Sequence, residues 1–179
     1  MESNEWSGLE VHHPVKIQLS YYPRHEQLKK QIYDHLLHYE DKQDHKTNVK
    51  ATMTEWQLTS SELEKLKDSI VNSLKYLPNS LQWGPPGDFE FTNLWANIYR
   101  HGEYTRVHDH LPEDLTMIYF LTAAEGDAPV VLDDSRTRIY PEEGLMAIFP
   151  GFVCHSVPKQ MSNNVRMTLS GDINRINRK

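Results

Sequence analysis

A chain of 179 residues with 38% hydrophobic and 25% charged residues suits one domain with a real core; it is too short for two comfortable ones and too apolar for disorder. Its formal net charge of −6 and the lack of a Lys/Arg stripe argue against a general nucleic-acid binder, and no apolar run reaches the roughly 18–20 residues a bilayer span needs. The single cysteine, Cys154, excludes an internal disulfide framework and a thiolate-rich zinc site.

Residues 1–10 are acidic and polar and carry no signal-peptide pattern, so a reducing, cytoplasmic setting is expected. Residues 15–21 read as a strand. Pro23 is placed to open a helix running to about Glu40, with Leu28, Ile32, His35/Leu36 and Tyr39 at helical spacing. Residues 49–56 read as a second strand. Thr59-Ser60-Ser61-Glu62 supplies a helix N-cap and capping box, followed by an apolar face of Leu63, Leu66, Ile70 and Leu74, with Pro78 as the stop. Trp83-Gly84-Pro85-Pro86-Gly87-Asp88 is the strongest punctuation in the chain.

Beyond it come short β-rich runs at 91–100, 104–110, 115–122, 129–132, 137–140, 145–149, 154–157 and 165–172, separated by turn residues. That spacing suits a sandwich or jelly roll with the helices covering one sheet. A single domain is expected: residues 1–82 as helical and strand support, 90–172 as the β core and 173–179 as a solvated tail.

Among the ten histidines, His108-Asp109-His110 stands out. On a strand, residues two apart share a face, so His108 and His110 converge while Asp109 looks away. Transition metals take such imidazole pairs, although two histidines are also found exposed or packed. His155 follows the turn Phe149-Pro150-Gly151-Phe152 and supplies a third candidate ligand from a returning strand. Arg166 sits on the next run among Val165, Met167 and Leu169, with Thr168 and Ser170 on its own face. Its guanidinium matches a carboxylate in bidentate fashion; a surface arginine or a salt bridge to Asp172 is the alternative. Cys154 and His155 point to opposite faces and form no thiolate–imidazole pair, and His12, His13 and His101 read as solvated or packed side chains in preference to metal ligands.

The runs Trp95–Gly102, His108-Asp109-His110, Met117–Leu121, Gly144–Pro150 with His155, and Arg166–Ser170 together resemble the 2-oxoglutarate/iron(II) oxygenases related to prolyl hydroxylases. The resemblance is closest to a subgroup common in phages and marine bacteria, and it spans about residues 92–172. It implies a double-stranded β-helix (a cupin-like jelly roll), iron(II) held by His108, His110 and His155, and 2-oxoglutarate held at its distal carboxylate by Arg166. It also implies Asn97, Tyr99, Tyr119 and Thr168 near the co-substrate. It departs from the wider superfamily at position 110, where a carboxylate is usual. The expected activity is hydroxylation by dioxygen coupled to decarboxylation of 2-oxoglutarate. The rivals are a three-histidine cupin-like dioxygenase without 2-oxoglutarate and a non-catalytic metal- or metabolite-binding module. The substrate, a peptide or a small molecule, and the oligomeric state are not legible; no nucleic-acid or membrane partner is expected. Loops after Trp83 and around 111–114 are expected to border the site.

Overall fold

The computed structural model describes residues 14–40, 47–76 and 87–176. In chain order these form β1 (Gln18–Tyr21), α1 (His25–Leu37), β2 (Val49–Lys50), β3 (Thr52–Met53) and α2 (Ser61–Leu74). Then follow β4 (Phe89–Tyr99), β5 (Tyr104–His108), β6 (Leu115–Phe120), β7 (Val130–Leu132), β8 (Thr137–Ile139), β9 (Leu145–Pro150), β10 (His155–Val157) and β11 (Arg166–Arg175). Pro78, the Trp83–Pro86 part of the punctuation, His12, His13 and the last three residues lie outside the described residues.

The strands make two antiparallel sheets, ordered β1-β9-β6-β11-β4-β3 and β2-β5-β10-β7-β8. The central strands β9-β6-β11-β4 face β5-β10-β7-β8, which is the double-stranded β-helix expected from the sequence. Two apolar layers hold it. Between the sheets, Trp95, Tyr99, Phe120, Ala147 and Phe149 meet Val130, Leu132, Ile139 and Val157. On the outer face of the six-stranded sheet, Leu94, Ala96, Ile98, Met117, Met167 and Leu169 meet the helices. Strands β6 and β9, buried on both faces, therefore read as near-continuous apolar runs, broken in β6 by the buried Thr116, with no regular polar alternation.

The helices form where the periodicity places them. Leu28, Ile32 and Leu36 give α1 its buried stripe, and Leu63, Leu66, Ile70 and Leu74 give α2 its own. The Ser60 side chain accepts from Leu63 N at 3.3 Å, a cap of the kind typically contributing about 1 kcal/mol. Arg24 grips the Glu62 carboxylate with two nitrogens and ties the start of α1 to α2.

Three expectations need correction, the first at the chain's end: β11 runs on to Arg175 with Ile173 fully buried, so residues 173–175 belong to the sheet and not to a solvated tail. Residues 49–56 are not one strand: β2 pairs with β5 in one sheet and β3 with β4 in the other, so the chain changes sheets at buried Ala51. The run 104–110 stops at His108, because the chain turns immediately after it. Among the described residues, no helix is long and apolar enough to cross a membrane.

Candidate metal centre

Strands β5 and β10 pair so that His108 lies opposite His155. His110 stands beyond the end of β5, so strand parity does not orient it; a turn does. The His110 N–H donates to the Gly151 carbonyl at 2.8 Å, and the Gly151 N–H donates to Asp114 O at 3.0 Å. A Cβ at Gly151 would lie 2.1 Å from the Glu113 carbonyl oxygen, so only glycine permits this approach. The turn that returns the chain toward His155 therefore also seats His110.

The three histidines offer ligand atoms that all lie within 4.8 Å of one another. Their ring centroids are 4.4 Å (His108–His155), 5.1 Å (His108–His110) and 5.1 Å (His110–His155) apart. Each Nδ1 faces an acceptor: Arg106 O at 2.9 Å for His108, Val153 O at 3.0 Å for His155, and Asp172 Oδ1 at 2.6 Å for His110. A carbonyl or carboxylate there accepts a hydrogen bond from Nδ1–H, which fixes that tautomer and leaves Nε2 with a free lone pair. Burial, reinforced by His110, holds His108 below its ordinary pKa. Burial, with His108 and His110 nearby, pushes His155 down to about 3, so its ring is neutral at pH 7.

A narrow internal cavity runs from the triad to Arg166, bordered by Asn97, Tyr99, Thr168 and Ser170. The antiparallel register explains this: Arg166 is opposite Tyr99, Thr168 opposite Asn97 and Ser170 opposite Trp95, all on the face between the sheets. Asn97 Nδ2 donates to Ser170 Oγ at 3.0 Å, and Tyr99 shares a 2.7 Å hydroxyl bond with Thr105. Arg166 is fully buried, packed over Tyr99 at 4.7 Å and Phe120 at 5.4 Å. None of its three guanidinium nitrogens has a hydrogen-bond partner among the described residues. Burial lowers its pKa, offset in part by Tyr99 and Asp127.

Tyr119 is the exception among the expected site residues. It pairs with Leu169 on the opposite face of β11, packs in the helix layer, and its hydroxyl meets His25 Nδ1 at 2.6 Å. It does not reach the cavity. Asp172, weighed in the sequence as a partner for Arg166, instead binds His110 and accepts from Asn93 Nδ2 at 2.9 Å. Its even spacing from Arg166 was the signal that it faces inward. Trp95, stacked on His110 with centroids 5.9 Å apart, also went unnoticed in the sequence.

Two other features compete for attention. His25, Glu26 and Glu143 also cluster, but Glu143 is paired with Lys29 at 2.7 Å and His25 Nδ1 is engaged by Tyr119. A larger groove of about 830 Å³ lies between the β1 side and β8, with no histidine or cysteine among the described residues of its lining.

No family model and no curated protein matches the sequence. Solved structures do match in fold. The viral collagen prolyl hydroxylase of Paramecium Bursaria Chlorella virus-1, solved as a 2-oxoglutarate complex, is 14% identical with a TM-score of 0.62, covering 89% of this chain and 96% of that one. A Pseudomonas putida prolyl-4-hydroxylase is 15% identical with a TM-score of 0.64, covering 89% and 92%. HygX from Streptomyces hygroscopicus, solved with nickel and 2-oxoglutarate bound, is 8% identical with a TM-score of 0.65, covering 90% and 83%. At these identities the likeness shows a shared fold.

Proposed function

We propose that the chain is a non-haem iron(II), 2-oxoglutarate-dependent dioxygenase that hydroxylates a substrate at the His108–His110–His155 centre. One observation carries this above all: Arg166, fully buried, has three unpaired nitrogens at the far end of a cavity that begins at the triad. A buried cation left unpaired costs several kcal/mol, about 3–5 when its partner is removed, so the site is built for an anion that arrives with a ligand. A planar fork suits a carboxylate. A three-histidine dioxygenase working without 2-oxoglutarate gives Arg166 no such task.

Three imidazoles whose Nδ1 atoms are held by acceptors, leaving each Nε2 free, fit a divalent transition metal and leave other coordination positions open. When bound, iron(II) with 2-oxoglutarate and dioxygen supplies oxidative decarboxylation to succinate and carbon dioxide, coupled to hydroxylation. The chain's own residues position and insulate. Arg166 orients the distal carboxylate, while Asn97 and Thr168 border its path. Trp95 and Phe149 pack against His110 and His155 and keep their rings in place.

Anaerobic addition of iron(II) and then 2-oxoglutarate to the metal-free protein is expected to produce the visible charge-transfer band of a chelated keto acid. Admission of oxygen is then expected to yield succinate. A folded, iron-loaded protein that shows no band would sink the proposal, and a band without succinate would leave a binding module.

Position 110 carries imidazole where the wider superfamily has a carboxylate, and Asp172 returns the negative charge at one remove through His110 Nδ1. Removing such a partner typically lowers metal affinity about 10–100-fold. Asp172→Asn is accordingly expected to weaken iron(II) binding by about that factor in a chelator competition, with the fold intact. An unchanged affinity would reduce Asp172 to packing.

A further inference from the structure

On the outer side of the triad a second cavity of about 360 Å³ opens from His108 and His110 to solvent, so a substrate reaching the centre from this side lies in it. Its wall includes Trp56, Trp95, Met53, Asp109 and Glu113, and no Lys or Arg among the described residues lines it. Trp56 is 41% exposed and meets Trp95 edge to face with centroids 4.7 Å apart, presenting an aromatic surface at the opening. Trp95 is 4% exposed, and its indole N–H has no hydrogen-bond partner among the described residues.

The two carboxylates are held by hydrogen bonds and form no salt bridge among the described residues. Asp109 Oδ1 accepts from the Leu111 N–H at 3.1 Å, and Glu113 Oε2 accepts from Thr92 Oγ1 at 3.2 Å. Deeper in, the charges of a divalent metal and Arg166 offset those of a 2-oxoglutarate dianion and Asp172. Asp109 and Glu113 are left over, so the mouth of the loaded site carries a negative field between low-dielectric walls. Aromatic faces attract cations through their quadrupole, and tryptophan does so best. An orphaned, buried N–H asks for an oxygen acceptor on the same ligand.

We infer that this mouth selects a substrate bearing an alkylammonium group and an oxygen acceptor, as on a lysyl side chain with its flanking amide carbonyls. The cation lies against Trp56 between Asp109 and Glu113, the acceptor meets Trp95 Nε1, and the alkyl chain faces the triad. This specificity rests on the oxygenase proposed above.

The test compares N-acetyl-lysine-N-methylamide with its norleucine (neutral) and glutamate (anionic) counterparts. Binding is read by tryptophan fluorescence in both the metal-free and the iron- and 2-oxoglutarate-loaded anaerobic protein. The lysine compound is expected to bind about tenfold or more tightly than either counterpart. The Asp109→Asn/Glu113→Gln double variant is expected to erase that preference, and Trp56→Leu to weaken lysine binding, while the keto-acid band forms as in the unaltered protein. Equal binding of the norleucine compound, preference for the glutamate compound, or no binding of the lysine compound overturns the inference. Failure of the band alone, with the cation preference intact, counts instead against the oxygenase proposal.

Discussion

Replacement of Arg166 by methionine is expected to cost the protein about 10²–10³-fold or more in 2-oxoglutarate affinity while making the ligand-free protein no less stable. Both halves follow from the same burial. The guanidinium is fully buried, its nitrogens have no partner among the described residues, and the rings of Tyr99 and Phe120 flank it. Loss of one member of a buried charge pair costs about 3–5 kcal/mol, which is the stated range in affinity. Methionine has similar length, packs on the same two rings and removes an uncompensated charge, so the melting temperature of the ligand-free variant should hold or rise. Calorimetric titration of 2-oxoglutarate into the iron-loaded protein and thermal melts of the ligand-free protein measure the two halves. A structural role for Arg166 predicts the reverse pattern: lower stability with 2-oxoglutarate affinity kept within a few fold. That outcome would remove the main support for the proposed co-substrate.

Substitution His155→Ala is expected to remove stoichiometric iron(II) binding, lowering affinity by well over the roughly 100-fold upper figure for losing a ligand's hydrogen-bonding partner. His155 is 3% exposed, lies opposite His108 across the β5–β10 pair, and has its Nδ1 committed to Val153 O. Two ligands remain without it, one of them on a turn. The companion change His25→Ala tests the competing cluster with Glu26 and Glu143 and is expected to leave metal stoichiometry unchanged. Metal analysis after dialysis, with chelator competition for the affinity, reads both. Iron retained by His155→Ala and lost by His25→Ala would move the centre to the other face of the sheet.

Much of this protein was open to reading from the sequence because the relevant signals are local. Helical spacing marked the buried stripes of α1 and α2, and the capping residues marked where α2 begins. Turn residues separated the β runs, and the chemistry of imidazole and guanidinium marked His108, His110, His155 and Arg166 as residues of interest. The face of a polar residue could be followed where a strand runs unbroken: Arg166, Thr168 and Ser170 do share one side of β11, and Asn97 and Tyr99 share one side of β4.

The rest depended on partners far along the chain. Tyr119 sits in a strand buried on both faces, so alternation carries no sign of which layer receives it; pairing with Leu169 and contact with His25 decide that. His110 escapes the two-residue rule because β5 ends two positions earlier, and the hydrogen bond its own N–H donates to the Gly151 carbonyl orients it instead. The split of residues 49–56 between two sheets reflects which edges lie within reach of β4 and β5. By itself the sequence determined the elements and the inventory of metal-ligating and anion-binding groups, since propensity and side-chain chemistry belong to each residue. Only the tertiary structure decided that Asp172 serves His110 and that Arg166 is left unpaired, because hydrogen-bond satisfaction is settled by which groups the fold brings within about 3 Å of each other.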